Sequence, residues 1–284
     1  MHDPSREETV AGGGAARRLR LRVVQVAYGD EEPPQQRVRR VAALVAQQRD
    51  ADLIVLPELW PHGGFSYDQW AARAEALDGP FVDAMREAAK EAGATVHAGS
   101  FIERGAGGMW NTSVVFGPTG ELLGVYRKIH RFGEGERSLL EAGTEIVTVP
   151  LRVGGQQVAT AGLATCYDLR FPELFRRLVD ESCELLVVPA AWPAARVGHW
   201  QVLGQARAIE NQCVVVQVNT AGIHSGVAMG GCSQVIGPAG EVLARGVDDG
   251  DEVLAVDVDL DDVSRWRRDF PALTDRRLGR EQHA

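Results

Sequence analysis

Short apolar runs alternate along this chain with longer stretches in which apolar positions recur every three or four residues. Residues 21–27 (LRVVQVA) form the first run, and residues 52–57 (DLIVLP) form a second that is nearly continuous, as expected of a strand buried on both faces. Between them, residues 36–48 place Val38, Val41, Leu44 and Val45 at helical spacing. Gly79 and Pro80 punctuate the chain; residues 81–92 then predict a helix, and residues 95–102 and 112–116 two strands. The rhythm repeats in the second half, with strands at 158–165, 184–189 and 213–219 and helices at 172–179 and 199–211. Residues 254–260 (LAVDVDL) alternate cleanly and predict a late strand, with a short helix from Asp261. Strands interleaved with helices predict an α/β fold whose sheet faces are covered by helices.

An internal echo refines that picture. Residues 114–123 (VVFGPTGELL) and 234–243 (QVIGPAGEVL) share a strand–GPxGE–strand pattern about 120 residues apart. Proline followed closely by glycine is turn chemistry, so each segment predicts a β-hairpin. Two like hairpins imply two related halves, each with a sheet, and two sheets packed face to face with helices outside would use every element. No linker composition separates the halves. One domain is expected over 20–278, flanked by flexible tails at 1–19 and 279–284.

Composition narrows the function. The 284 residues are 45% hydrophobic and 24% charged, and 30 Lys+Arg against 39 Asp+Glu leave a net charge of −9. Without a basic block, the electrostatic footprint of a nucleic-acid binder is missing. The most apolar stretch, 185–195, is about half the roughly 20 residues a spanning helix needs, and two prolines interrupt it, so no membrane partner is expected. The charged, Gly-rich start has no apolar core of a secretory signal, which points to the cytoplasm and to free thiols at Cys166, Cys183, Cys213 and Cys232. No GxGxxG, P-loop or ligand-spaced His/Cys/Asp cluster occurs, so neither cofactor nor metal is expected.

Three polar residues at the edges of apolar segments carry candidate chemistry. Glu58 directly follows DLIVLP and precedes Leu59 and Trp60; among such neighbours a carboxylate is partly desolvated and suited to proton transfer, where the plain alternative is a surface glutamate. Cys166 follows AGLAT and opens CYDLRFPELFRR, which turns helical after Pro172. A thiol on a strand-to-helix turn is exposed to substrate, with N–H groups nearby to hold an oxyanion. The other three cysteines fit better the common role of a small buried apolar side chain. Lys128, in VYRKIHRF, can stabilise a negatively charged intermediate or belong to a solvated basic patch with Arg127, His130 and Arg131.

Taken together, LPELW, YRKIH and TCYDLRFPELFR, in that order, resemble the nitrilase superfamily of carbon–nitrogen hydrolases over about residues 20–278. NTSVVFGPTG, HWQVLGQARAIENQ and VNTAG support the match. The resemblance implies a four-layer α-β-β-α sandwich and a Glu–Lys–Cys triad: Glu58 as general base, Lys128 with the backbone N–H of Tyr167 holding the oxyanion, and Cys166 as nucleophile. It also implies a second glutamate, for which Glu134, Glu136 and Glu141 are available and Glu136 has the family's spacing to Gly143. The branch most alike, omega-amidases and deaminated-glutathione amidases, acts on small carboxylate-bearing amides such as 2-oxoglutaramate. Arg170 can pair with that carboxylate, against a structural salt bridge with Asp168 or Glu173, and His130 and Trp192 are candidate pocket walls. A homodimer or higher homo-oligomer is further implied.

Alternatives within the superfamily are an N-carbamoyl-amino-acid amidohydrolase and an aliphatic amidase or nitrilase. Outside it stand a Cys–His hydrolase pairing Cys166 with His130, and a binding module on an inherited catalytic fold.

Overall fold

The computed structural model describes residues 17–278. The first half runs β1 (Arg18–Ala27), α1 (Pro34–Ala46), β2 (Leu53–Val55), α2 (Tyr67–Arg73), α3 (Pro80–Ala92), β3 (Thr95–Gly105), β4 (Gly108–Phe116), β5 (Leu122–Arg127) and α4 (Gly133–Leu139). The second runs β6 (Thr148–Val153), β7 (Gln156–Leu163), α5 (Pro172–Asp180), β8 (Leu185–Ala190), α6 (Val197–Asn211), β9 (Val214–Ala221), a small hairpin of β10 (Ile223–His224) and β11 (Val227–Ala228), β12 (Gln234–Ile236), β13 (Val242–Arg245), β14 (Glu252–Asp259) and α7 (Asp261–Asp269).

Strand pairing makes two six-stranded sheets. One has the order β14-β1-β2-β3-β4-β5, with β1, β2 and β3 parallel and the rest antiparallel. The other has the order β13-β12-β9-β8-β7-β6, with β7, β8 and β9 parallel. A short parallel contact of Val26 with Thr220 and Ala27 with Ala221 joins the sheets between β1 and β9.

The period-two pattern explains the layers. Leu19, Leu21 and Val23 of β1 pack with Leu185, Val187, Val214 and Val216 in a core between the sheets. The intervening Val24 and Val26 face outward to Val41 and Val45 of α1 and Met85 of α3. On the far side, Leu186, Val188 and Val215 pack against Phe175 and Leu178 of α5 and Trp200 of α6. The result is the four-layer α-β-β-α sandwich that the family resemblance implied. Both GPxGE segments are hairpin turns: Gly117 and Gly237 each donate N–H to the carbonyl of the glutamate four residues on, at 2.8 and 2.9 Å.

Two boundaries differ from expectation. Residues 17–19 are structured and not tail: β1 starts at Arg18, and Arg17 bridges Glu184 and Asp261 at 2.9 and 2.8 Å. The remaining tail expectations, at 1–16 and 279–284, lie outside the described residues. Helices α2 and α4 and strand β6 were not foreseen; each helix has seven residues, too few turns for a periodic signal.

Candidate active site

The C-terminal ends of β1, β2, β7, β8 and β9 point the same way, and the crevice beyond such ends is where open α/β sheets hold ligands. Glu58 stands there, three residues past β2. The turn that carries it lies against a bulge in β3, where Ser100 N–H donates to the Pro57 carbonyl and Ser100 Oγ accepts from Leu59 N–H at 3.2 and 3.1 Å. Gly99 makes that approach possible: its φ is +71°, and a Cβ there would sit 1.9 Å from the Pro57 oxygen.

Lys128 follows β5, and its amide donates to the Asn111 carbonyl at 2.9 Å. The side chain is buried, not part of a solvated patch, and Nζ donates to Glu58 Oε1 and Glu136 Oε1, both at 2.8 Å. Glu58 Oε1 also accepts from Asn111 Nδ2, and its Oε2 accepts from the Ala191 N–H, each at 2.8 Å. Glu136 Oε2 accepts the Phe132 N–H at 2.7 Å. Of the three glutamates in this segment, only Glu136 on α4 is buried, while Glu134 and Glu141 are exposed. Gly143 lets the returning chain cross Lys128: its N–H reaches the Lys128 carbonyl at 2.9 Å, and a Cβ would meet the Arg127 oxygen at 1.9 Å.

Cys166 opens a tight turn over Cys166–Arg170 with a left-handed φ of +47°, and it lines a narrow cleft. Burial and the neighbouring Glu58 carboxylate push its thiol well above the usual range, against the pull of Lys128. Burial opposes the Lys128 charge, yet Glu136 and Glu58 together hold its ammonium well above the ordinary lysine value. Burial raises Glu136, partly offset by Lys128. Glu58 is the carboxylate beside that thiol. The Tyr167 N–H makes no hydrogen bond among the described residues.

The cleft walls are Phe65, Phe132, Tyr167, Ala191, Trp192 and Pro193, with Arg170 and Arg196 as the charged groups. Arg170 forms no ion pair with Asp168 or Glu173; its guanidinium lies over the Trp192 ring at 4.9 Å and meets His199 Nδ1 at 3.3 Å. Trp192 lines the cleft. His130 is not among the lining residues, which corrects its assignment: its Nδ1 sits 2.7 Å from Asp168 Oδ1 and its ring stacks on Phe171 at 3.7 Å. A Cys166–His130 pair accordingly has no support in the geometry.

Asn111, Phe65, Phe132, Tyr67 and Arg196 escaped sequence reasoning. Asn111 carried a signal, as a polar residue opening an apolar strand end (NTSVVF). Tyr67 had none, yet burial and the charges of Glu136 and Glu58 push its phenol up to about 12. Among the described residues no group of three His, Cys, Asp or Glu side chains is placed to hold a metal, and no helix is long and apolar enough to cross a membrane.

Comparison with known proteins points the same way. The family model for carbon-nitrogen hydrolase matches residues 20–268. A 2-oxoglutaramate amidase of Paenarthrobacter nicotinovorans is 46% identical over 265 residues, covering 91% of this chain and 90% of that protein. A 2-oxoglutaramate amidase of Bacillus subtilis is 33% identical over 256 residues, covering 88% and 93%. The crystal structure of XC1258 from Xanthomonas campestris, a CN-hydrolase superfamily protein, superposes with a TM-score of 0.83 at 31% identity, covering 92% and 97%.

Proposed function

This chain belongs to the carbon-nitrogen hydrolase family and is an amidase of the nitrilase superfamily, and from that premise we propose that it is an omega-amidase that releases ammonia through a Glu58–Lys128–Cys166 triad. The observation that carries this reading is the buried cluster in which Lys128 Nζ contacts Glu58 and Glu136, each at 2.8 Å, beside the Cys166 thiol.

Glu58 takes the thiol proton as Cys166 attacks the amide carbon. The oxyanion that forms is held by Lys128 Nζ and the Tyr167 N–H. Collapse breaks the C–N bond, the proton held by Glu58 passes to the leaving nitrogen, and ammonia departs from a thioester. Glu58 then removes a proton from water, which attacks the thioester and frees the acid and the thiol. Glu136 keeps Lys128 charged and in place. Two guanidinium groups on the cleft, Arg170 and Arg196, have no carboxylate partner among the described residues and suit a substrate that carries its own. The names of the two amidase relatives supply the candidate, 2-oxoglutaramate.

The chain is further read as one catalytic domain over 17–278, acting in the cytoplasm as a homodimer or higher homo-oligomer. The outer face of α6 leaves Val202 and Ile209 exposed, an apolar surface suited to a second copy. Sedimentation tests the assembly.

Ammonia release from 2-oxoglutaramate tests the activity. Wild type should release ammonia stoichiometrically with acid, and rapid acid quench should trap substrate carbon on Cys166. Turnover only of amides without a carboxylate would exclude the omega-amidase reading, and release with no adduct on Cys166 would exclude the triad.

A further inference from the structure

Cys166 holds a backbone conformation that side-chain-bearing residues seldom adopt, so something must hold the turn in place. Asp168, fully buried, is the hub of that restraint. Its Oδ2 accepts the Thr165 N–H at 2.8 Å and the Tyr126 hydroxyl at 2.6 Å. Its Oδ1 accepts the His130 N–H at 2.9 Å and faces His130 Nδ1 at 2.7 Å. Thr165 completes the arrangement by capping the Asp168 N–H, and its hydroxyl meets Ser113 Oγ at 3.3 Å.

The partners fall on two chain segments. Thr165 immediately precedes Cys166, whereas Tyr126 and His130 flank Lys128 by two residues on either side. The His130 ring also stacks on Phe171, which closes the same turn at its far end. A single carboxylate thus spans the segment bearing the thiol and the segment bearing the ammonium.

We propose that Asp168 is a positioning residue that sets Cys166 Sγ and the Tyr167 N–H against Lys128 Nζ. This rests on the reading of Cys166 as nucleophile. The need for a carboxylate follows from donor counting: backbone N–H groups address both oxygens, and an amide offers only one acceptor oxygen. In Asp168→Asn one of those N–H groups meets an NH2, and the turn must shift to relieve the clash. A displaced thiol slows formation of the tetrahedral intermediate more than it weakens substrate binding.

The test compares kcat and KM for 2-oxoglutaramate hydrolysis in wild type, Asp168→Asn, Tyr126→Phe and Cys166→Ala, with melting temperatures alongside. Asp168→Asn should lose at least about 30-fold in kcat while KM changes less than about 3-fold, and Tyr126→Phe should fall between it and wild type. Should Asp168→Asn fail to fold, Tyr126→Phe decides, since it removes one hydrogen bond and keeps the ring. Either folded variant with wild-type kcat, or a loss accounted for by the unfolded fraction, overturns the proposal. An inactive Cys166→Ala beside a fully active Asp168→Asn sinks the positioning role alone; an active Cys166→Ala sinks the nucleophile reading and the proposal with it.

Discussion

The two halves of this molecule share a frame and divide the chemistry unequally. In each, three parallel strands are followed by an antiparallel hairpin: β1, β2, β3, β4, β5 in one and β7, β8, β9, β12, β13 in the other. Their GPxGE turns match down to the left-handed glycines, Gly120 at +83° and Gly240 at +92°. The strand ends differ. Past β2 the first half places Glu58, whereas past β8 the second places Ala191, and these two meet, Ala191 N–H donating to Glu58 Oε2 at 2.8 Å. The chain leaving β7 brings Cys166; the chain leaving β1 brings Tyr28, stacked on His224 at 4.4 Å. A repeated pattern of burial is enough to repeat a fold, while reactivity depends on single side chains at strand ends.

The sharpest way to break that comparison is to exchange its members. Cys166→Ala should lower amide hydrolysis by at least about 10⁴-fold, since it removes the attacking atom, while Tyr28→Phe in the other half should stay within about 10-fold. Parallel ammonia assays on both variants check this, and comparable losses would void the asymmetry. Glu58→Gln comes next: it keeps the shape of the side chain and removes the proposed base, so kcat should fall about 10³-fold. Acid-quench trapping would show acylation, not only deacylation, slowed.

A smaller effect concerns stability and falls on both halves. Burial lowers His97 on β3 and His224 on β10 to about 4 from the usual 6.5. The unfolded chain then takes up protons in that window that the folded chain refuses. Stability is complete above about pH 6.5 and is lost as pH falls toward 4, by on the order of 3 kcal/mol for each histidine. Denaturant titrations at pH 7 and pH 5 should show the loss, and His224→Phe should remove its own share. The mildest effect is on recognition. Arg170→Met should raise KM for 2-oxoglutaramate by about 10-fold with kcat nearly unchanged, and should spare amides that lack a carboxylate. Equal effects on both substrate types would reassign Arg170 to packing.

Most of the frame was legible from the sequence because burial is a local pattern: period two marked β1 and β14, and apolar runs marked β2 and β8. The segments that bring Glu58 and Lys128 together and place Cys166 on the cleft were marked by motif order and the family resemblance. The short α2 and α4 were not, and Asn111 showed only as a polar residue opening an apolar run, because its partner Glu58 is 53 residues away. His130 shows the same limit: its nearness to the catalytic motifs suggested the pocket, but its backbone N–H and Nδ1 are both held by Asp168, 38 residues away.

The sequence by itself determined the alternation of strands and helices, the duplicated hairpins and the three segments that hold Glu58, Lys128 and Cys166. Only the tertiary structure decided that Lys128 lies between Glu58 and Glu136, that Glu134 and Glu141 are exposed, and that Arg170 has no carboxylate partner among the described residues. The reason is physical. Periodicity records which face of an element is buried, whereas a 2.8 Å contact between Glu58 and Lys128, 70 residues apart, depends on how β2, β3, β4 and β5 pair and twist within one sheet.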